Sequence, residues 1–532
     1  MGLRALGDSA WLFEAGGNDP RDRLALVLQV LGVLERNLIP EVLDVVSSFD
    51  TVAVHFDPGD GEAVLDWLTS LPPPDGDEGI LLNGRIVEVP VVYGGDLEAL
   101  SRELGRTQAE IAALHSGADY TVAAIGFSPG FPYLIGLPGE LRLPRRATPR
   151  PVAAGSVAIA GGQAGIYPFD SQGGWHVIGR TDLRWFDPEQ NPPALLKPGD
   201  RVRFVPADRL DSPVAGTTGP PASVRDGIEV IEPGTLTTVQ DLGRPGFQKF
   251  GVSPGGAADG VAARVANRLV GNTDGAAVLE CSMSGPVLRF HEPARLACVG
   301  WADARSGRPV EIRAGGEIDL RGRMRALRGY VAVSGGIDTP PVLGSRATDL
   351  RAGLGGFHGR ALRSSDRLAI GPAALGPVPG DWRVGWPAAG DGVLELRFVK
   401  GVQSAWFADH SLKTFRSTVY QTSPVSDRMG TRLDGPALAL AEPREMVSQP
   451  VVAGSVQVPP DGRPIILMAE RQTLGGYPQI GHVISADLPK LARAWPGTPL
   501  RFREVTLEEA RQAWRDLGRG LGLLRAGMGF LR

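Results

Sequence analysis

A phrase near residue 151 recurs near residue 450. Residues 151–157 read Pro-Val-Ala-Ala-Gly-Ser-Val, and residues 450–456 read Pro-Val-Val-Ala-Gly-Ser-Val. Each copy is followed by a Gln and a Tyr-Pro pair, and each closes on a similar turn and strand, at residues 197–204 and 495–502. Since the order of these features is kept, and the distance from the first to the last of them is nearly the same, two related units are predicted. The short apolar runs between Gly and Pro residues are typical of β-barrels and sandwiches.

The first 91 residues have a different pattern from the repeated part. Apolar residues recur at helical spacing at Leu24, Leu28, Leu31 and Leu34. The predicted order is a strand at 10–13, a helix at 21–36, strands at 42–46 and 51–56, a helix at 62–71 and a closing strand at 86–91. This is the order of a split, ferredoxin-like unit. Segments rich in Pro, Gly and small polar residues predict breaks at 71–77, 211–226 and 371–392.

Composition excludes several classes of protein. The formal net charge is -4 and the arginines are scattered, so nucleic acid is not an expected partner. Cys281 and Cys298 are too few for a disulfide framework, so a reducing cytoplasm is the expected compartment. The seven histidines stand far apart, so no metal site is expected. The longest apolar stretch, residues 24–34, is too short to span a bilayer, and the N-terminus lacks a signal-peptide core.

The first candidate site is residues 126–134, which read Gly-Phe-Ser-Pro-Gly-Phe-Pro-Tyr-Leu and match the G-x-S-x-G pattern of serine hydrolases. That interpretation fails because the residue after Ser128 is Pro129, which has no N–H for an oxyanion hole. A Pro-locked loop that carries Ser128 into a cleft is predicted, and a structural turn is the alternative.

The second candidate spans the glycine-rich segments 160–168 and 173–181. Clustered glycines let a backbone approach a small polar ligand, and Gln163, Tyr167, His176 and Arg180 could bind it. The chain has no Gly-Lys dipeptide, so this is not a Walker pattern. His176 could equally be a packed, hydrogen-bonded residue.

The third and fourth candidates are dense in polar side chains. Gln240, Asp241 and Arg244 belong to a segment that is typical of a loop at a barrel mouth. A network that only holds the loop in place would need the same groups. The fourth candidate joins segments 421–430 and 469–478, and its guanidinium groups could grip a carboxylate or amide. Its candidate residues are Asp427, Arg428, Arg471, Gln472 and Tyr477. Asp427 with either arginine could instead be a structural ion pair.

These phrases resemble a known family. Segments 126–134, 155–168 and 173–181 are similar to the B subunit of bacterial 5-oxoprolinase, also described as the Kip inhibitor or allophanate hydrolase subunit 1 family. From residue 228 onward the chain resembles the C subunit, the Kip antagonist or allophanate hydrolase subunit 2 family. The segments that carry this second resemblance are 240–246, 334–338, 344–348, 426–430 and 471–478.

The resemblance implies a mainly β, α+β chain made of a ferredoxin-like unit and cyclophilin-like β-barrels. The implied domains are a ferredoxin-like unit at 1–85, a barrel at 86–208, a linker at 209–226, two barrel parts at 227–390 and 391–505, and a helical tail at 506–532. It also implies cleavage of 5-oxoproline to glutamate coupled to ATP hydrolysis, with Mg and a separate A subunit.

Within that scheme, we expect Arg428 and Arg471 to hold substrate carboxylate or phosphoryl oxygens. Asp427 and Asp241 would act as polar or acid/base partners, while Gln472 and Tyr477 orient the ring. A homo-oligomer is possible. One alternative is a biotin-dependent carboxyltransferase acting on urea or a related amide. It would need a separate biotin carrier, because the chain has no Met-Lys pair. The other alternative is a binding protein that regulates a histidine kinase.

Overall fold

The structure is a computed structural model that describes residues 2–74, 84–146, 148–210, 227–303, 305–373, 383–385 and 392–529. The predicted break at 211–226 and most of that at 371–392 lie outside these residues, as do residues 75–77 of the first break. We call residues 2–210 the first half and residues 227–529 the second half. The mainly β fold class is confirmed, and the chain contains two closed seven-stranded barrels.

The N-terminal unit is a four-stranded antiparallel sheet in the order β1-β2-β4-β3 with two helices. Its elements are β1 (Gly2–Ala5), β2 (Ala10–Glu14), α1 (Pro20–Arg36), β3 (Val42–Ser47), β4 (Thr51–Phe56) and α2 (Gly61–Ser70). Helix α1 begins after Asp19, whose side chain accepts a hydrogen bond from Arg21 N at 2.7 Å, and Pro20 occupies the first turn. Its apolar stripe packs on the sheet through Leu24, Val27 and Leu34.

The prediction that a strand at 86–91 closes this unit was wrong. The segment that begins at Ile86 forms a strand, but this strand pairs with barrel strands and not with β1–β4. The sheet edge is instead β1, which precedes the predicted first strand and forms a hairpin with β2. The ferredoxin-like assignment therefore stays a prediction.

The first barrel lies in residues 86–206. Its circular order is β5-β12-β9-β10-β7-β6-β13, and β13 returns to pair with β5 in parallel. The barrel strands are β5 (Ile86–Tyr93), β6 (Tyr120–Ile125), β7 (Pro132–Ile135), β9 (Ser156–Ala160), β10 (Gln163–Ile166), β12 (His176–Arg180) and β13 (Arg201–Pro206). A separate pair, β8 (Arg150–Val152) with β11 (Ser171–Gly173), and two helices, α3 (Leu97–Leu104) and α4 (Gln108–Ser116), complete it. Alternate residues of the strands fill the interior, as Val89 and Val91 do on β5.

The middle region is not the barrel that was predicted for residues 227–390. The nine strands that the structure describes in this region form a four-stranded sheet, β20-β17-β14-β22, and a five-stranded sheet, β15-β16-β21-β18-β19. The elements are β14 (Ile228–Glu232), β15 (Leu236–Gln240), α5 (Gly260–Leu269), β16 (Val278–Ser282), β17 (Val287–Phe290), β18 (Ala294–Val299), β19 (Pro309–Ile312), β20 (Glu317–Asp319), β21 (Arg328–Val333) and β22 (Arg367–Leu368). Both sheets contribute to one apolar core, so this region buries its apolar side chains between two open sheets and not inside a closed barrel.

The second barrel repeats the first strand for strand. Its circular order is β23-β30-β27-β28-β25-β24-β31, and its ends again close through a parallel pair, β23 with β31. The elements are β23 (Leu394–Lys400), α6 (Asp409–Ser417), β24 (Tyr420–Thr422), β25 (Gly430–Asp434), β26 (Gln449–Pro450), β27 (Ser455–Gln457), β28 (Ile465–Leu467), β29 (Leu474–Gly475), β30 (Gln479–Val483), α7 (Leu488–Arg493) and β31 (Pro499–Glu504). The pair β26 with β29 matches β8 with β11. The two barrels predicted from the repeat are confirmed.

Helix α8 (Leu507–Gly529) follows the second barrel and docks on this same chain. Thr506 and Glu509 cap its start reciprocally. Trp514 Nε1 donates to Asp57 Oδ1 of the N-terminal unit at 2.7 Å, and Arg268 of α5 donates to the carbonyl of Leu521. The helix therefore bridges the two halves. In the part of the chain that the structure describes, no helix is long and apolar enough to cross a membrane.

Candidate active site between the barrels

A cavity of 1390 Å³ lies between the two barrels and the N-terminal unit. Gln163, at the start of β10, lines it from the first barrel, and Tyr477, just after β29, lines it from the second. The start of helix α1 adds Arg23, and the turn before β4 adds Asp50. Parts of two candidate segments, 160–168 and 469–478, therefore meet at one cavity. Tyr477 is 40% exposed, so its side chain is open to a ligand there.

Glycines form the cavity wall on both barrels. Gly161, with φ of +58°, and Gly162 make the tight turn between β9 and β10, where a left-handed conformation favours glycine. A Cβ atom on Gly161 would meet nothing within 4 Å, so this backbone faces open space. Gly476 precedes Tyr477 on the opposite wall.

Two arginines that the sequence reasoning missed stand beside these glycines. A Cβ atom on Gly162 would lie 3.7 Å from Arg142 Nε, and one on Gly476 would lie 4.0 Å from an Arg145 terminal nitrogen. Both arginines are exposed and line the cavity. The only sequence signal was the pair Arg145-Arg146 after a proline, which is too common in an arginine-rich chain to stand out.

Three other charged residues of the cavity wall, Arg23, Asp50 and Arg444, have partners. Arg23 lies 3.9 Å from Asp50, and burial raises the pKa of that aspartate although Arg23 opposes the change. Arg444 lies 3.9 Å from Glu442, and its guanidinium stacks over the Trp406 ring. The cavity is thus a mixed, partly neutralised surface.

A second, narrow cleft lies where the halves meet, and Ser128, Arg471 and Gln472 line it. Its volume of 20 Å³ has room for about one water molecule, so it cannot hold a cyclic amide. The 126–130 loop is packed tightly here. Phe127 has a φ of +67°, unusual for a residue with a side chain, and Arg351 stacks over its ring at 4.6 Å.

Contacts across the halves hold this loop. The Gly130 N–H donates to the Phe250 carbonyl at 2.8 Å. A Cβ atom on Gly126 would lie 2.5 Å from Leu474 side-chain atoms, and one on Gly251 would lie 2.3 Å from the Ser128 carbonyl. Ser128 thus lies at a cleft, as the Pro-locked loop predicts, but the loop is also part of an interface, as a structural turn would be.

Arg471 is buried at this interface. Its side chain donates to Gln248 Oε1 at 2.8 Å and to the Val451 carbonyl at 3.4 Å, and no ion pair joins it to a carboxylate among the described residues. Burial lowers the pKa of its guanidinium to about 10. Gln472 donates to Gln457 Oε1 at 3.4 Å. Neither residue lines the large cavity.

Arg428 does not line the cavity. It forms a structural ion pair, which the sequence left open as an alternative, but not with Asp427. It is 5% exposed, forms ion pairs with Glu470 at 2.5 Å and with Glu280, and donates to the Gly256 carbonyl at 2.6 Å. Asp427 pairs with neither arginine. It is exposed and accepts hydrogen bonds from the Met429 and Gly430 N–H groups, which fixes a turn. The expected substrate role of this pair finds no support in these contacts.

The 240–244 loop is likewise held by its own network. Asp241 accepts hydrogen bonds from Ser345 Oγ and from the Arg346 N–H, both at 2.6 Å. Gln240 is buried and donates to the Thr348 carbonyl at 3.1 Å. Arg244 is 1% exposed and donates to the carbonyl of Ala347. The three residues anchor the loop at 342–348, which is the alternative that the sequence left open, and line neither the cavity nor the cleft.

Three further candidates of the first barrel have structural contacts. His176 Nε2 lies 3.0 Å from the Pro144 carbonyl oxygen, which accepts its hydrogen, and the ring is buried. Arg180 is exposed and donates to the Ala154 carbonyl at 3.2 Å. Tyr167 packs edge-on against Phe127 and Phe131, and burial raises the pKa of its hydroxyl to about 12. Of the predicted site residues, the structure brings only Gln163 and Tyr477 to the large cavity.

Comparison with known proteins accounts for both halves. Residues 1–196 match the family model described as carboxyltransferase domain, subdomain C and D, and residues 250–504 match carboxyltransferase domain, subdomain A and B. The 5-oxoprolinase B subunit of Bacillus subtilis (strain 168) is 35% identical over 39% of this chain and 94% of its own length. The 5-oxoprolinase C subunit of Escherichia coli (strain K12) is 38% identical over 54% of this chain and 94% of its own length.

A solved structure covers nearly the whole molecule. The crystal structure of TTHA0988 superposes with a TM-score of 0.82 at 34% identity, over 93% of this chain and 99% of that one. The two barrels, the middle sheets and the N-terminal unit thus recur together in another single chain. This protein therefore belongs to the carboxyltransferase-domain family of the 5-oxoprolinase B and C subunits, and it joins a B-type and a C-type half in one polypeptide.

Proposed function

We propose that this protein is a component of an ATP-dependent 5-oxoprolinase, which converts 5-oxoproline, ATP and water to glutamate, ADP and phosphate together with a separate A-type subunit. The observation that carries the proposal is the cavity of 1390 Å³ whose walls come from both halves. Each half is similar, over nearly the full length of the relative, to a protein named as a subunit of that enzyme. A site that needs both halves explains why both are kept.

The reaction needs more than hydrolysis, because a five-membered lactam is an unstrained amide. Phosphorylation of the lactam oxygen would create a better leaving group, and the protein would then contribute positioning and stabilisation of negative charge. Gln163 lines the cavity from the first barrel and carries an amide, and Tyr477 lines it from the second and carries a hydroxyl. In this proposal they orient the lactam ring from opposite sides, the role that the sequence assigned to Gln472 and Tyr477.

ATP fits the wall chemistry, since exposed guanidinium groups pair well with phosphate oxygens. The described residues contain no group of three or more His, Cys, Asp or Glu side chains that could hold a metal ion. Mg²⁺ commonly binds through substrate phosphates and few protein ligands, so it would enter with the nucleotide.

The direct test is to incubate the full chain with an A-type subunit, 5-oxoproline and ATP, and to measure glutamate and ADP. We expect glutamate only when both proteins and ATP are present. Gln163→Ala and Tyr477→Phe should each lower kcat by about tenfold, the effect of one lost hydrogen bond that strengthens in the transition state. Arg102→Gln is the matched control, because Arg102 is 76% exposed on helix α3 and does not line the cavity.

Absence of glutamate under these conditions would contradict the proposed reaction. Normal turnover in the Gln163 and Tyr477 variants would instead show that the reaction takes place elsewhere.

A second candidate is carboxyl transfer from carboxybiotin to urea or a related amide, and the family models favour it because both are described as carboxyltransferase domains. It predicts that the protein consumes carboxybiotin on a separate carrier when the amide acceptor is added. Avidin would block that reaction but would leave 5-oxoproline cleavage intact, so one inhibitor distinguishes the two functions.

A further inference from the structure

We propose that Arg142 and Arg145 form a subsite for the polyphosphate of a nucleotide, on the wall that the first barrel gives to the large cavity. This inference rests on the proposed function, since it places the phosphates in the cavity where the lactam would bind. It assigns the nucleotide phosphates to the first half of the chain.

The ion pairs of this segment single out the two residues. Arg146 lies 2.9 Å from Asp96, and Arg150 pairs with the same carboxylate. Arg142 and Arg145 have no carboxylate partner among the residues that the structure describes. Asp96 therefore neutralises positive charge on two arginines that do not line the cavity, while the two that line it keep theirs.

The backbone next to these arginines is open to an oxyanion. The turn at Gly161 and Gly162 carries no side chain, and a Cβ on Gly161 would meet nothing within 4 Å. Phosphate oxygens can therefore come close to the turn while Arg142 stands beside it, 3.7 Å from a Cβ position on Gly162. Guanidinium groups bind such oxygens with two parallel N–H donors.

The placement of the two arginines favours several phosphates over one carboxylate. Arg142 stands at the glycine turn of the first barrel, whereas Arg145 reaches Gly476 of the second. A polyphosphate carries several oxyanions, so in this proposal it offers one to each guanidinium group.

The size and the remaining wall of the cavity suit two ligands. Its 1390 Å³ exceeds the range of about 300–1,000 Å³ that is usual for one drug-sized ligand. The second barrel lines it with apolar side chains, Leu438, Leu440, Val447 and Val458, against which a nucleoside can pack. Gln163 directly follows the glycine turn, so a lactam held there lies beside the phosphates.

The test measures binding to the full chain alone, by isothermal titration calorimetry, with three probes: tripolyphosphate, ATP and 5-oxoproline. The variants are Arg142→Gln, Arg145→Gln and the double variant, and Arg102→Gln is the control. We expect tripolyphosphate to compete with ATP. Each single variant should weaken both by about tenfold, the value of one charge-assisted hydrogen bond, and leave 5-oxoproline binding unchanged. Arg142→Lys and Arg145→Lys keep the charge, so they should recover part of the affinity.

Three results would overturn the inference. They are no binding of tripolyphosphate to the unaltered chain, equal binding to the double variant and the control, or a selective loss of 5-oxoproline binding, which would make this a carboxylate site. None of these results depends on turnover. Glutamate production with no tripolyphosphate binding would reject only the subsite, whereas binding without glutamate production would reject only the proposed reaction.

Discussion

Replacing Arg428 by Met leaves two buried carboxylates without their shared cation. Arg428 is 5% exposed, and its partners Glu280 and Glu470 are 2% and 5% exposed. Burial opposes ionisation of Glu280. The charges of Arg428 and Arg328 outweigh this effect, helped by hydrogen bonds that the Ala258 N–H and Tyr330 Oη each donate at 2.8 Å. The pKa of Glu280 therefore lies below its usual value. Burial raises the pKa of Glu470, although Arg428 opposes the change.

Breaking a buried ion pair by removal of one partner typically costs about 3–5 kcal/mol in the free energy of unfolding. We expect a loss of that size for Arg428→Met at pH 8. In the unaltered protein the depressed pKa of Glu280 contributes stability that is lost as pH falls through the folded-state pKa. In the variant both carboxyl groups take up protons more readily, which favours the folded state at acid pH. The difference between the two proteins should therefore shrink between pH 8 and pH 5.

The assay is urea unfolding of the full chain followed by circular dichroism at both pH values. Arg463→Met is the matched control, because Arg463 forms an exposed pair with Asp434 at 3.8 Å in the same barrel and should change stability by less than about 1 kcal/mol. The triple variant with Glu280→Gln and Glu470→Gln should regain part of the loss, since no carboxylate is then left unpaired. A loss for Arg428→Met no larger than that of the control would refute the reasoning.

Three further predictions concern the seams of the molecule. Gly251→Ala should destabilise the protein by about 1–3 kcal/mol more than Gly105→Ala in thermal unfolding. Both glycines have positive φ, but only a Cβ on Gly251 would meet the Ser128 carbonyl, so equal losses would contradict this prediction. Burial raises the pKa of Asp44 to about 6, so its contribution to stability is present below pH 4 and lost as pH rises through 6. Asp44→Asn should therefore flatten the pH dependence of the free energy of unfolding between these values, and an unchanged profile would argue against this reasoning. Ending the chain at residue 505 removes the contacts of α8 with Asp57 and Arg268, so it should lower the melting temperature; a melting temperature equal to that of the full chain would show that α8 adds no stability.

The barrels could be predicted because their signal is local. Gly155 and Gly454 occupy equivalent places in the repeat, have φ of +78° and +88°, and each precedes a barrel strand directly. Such glycines report a backbone geometry that depends on few neighbours. Helix α1 was predictable for the same reason, since its cap and its apolar stripe lie within one segment.

Pairings between distant segments could not be predicted. Sequence proximity suggested Asp427 as the partner of Arg428, but Glu280 lies 148 residues away and approaches only after the middle sheets pack on the second barrel. Likewise, the pattern of the strand at Ile86 does not say which sheet it will join, because pairing with β13 depends on the closed barrel. Arg142 and Arg145 become distinctive only when the structure shows which arginines have carboxylate partners.

The contact of Gly126 with Leu474 crosses the boundary between the B-type and C-type halves, and the two halves are covalently joined. A tether turns association into an intramolecular step, with an effective concentration that reaches the millimolar range for short flexible connections. The seam can thus stay closed with weaker contacts than two independent subunits would require at cellular concentrations. Because the cavity draws its walls from both halves, it should stay assembled when the chain is diluted.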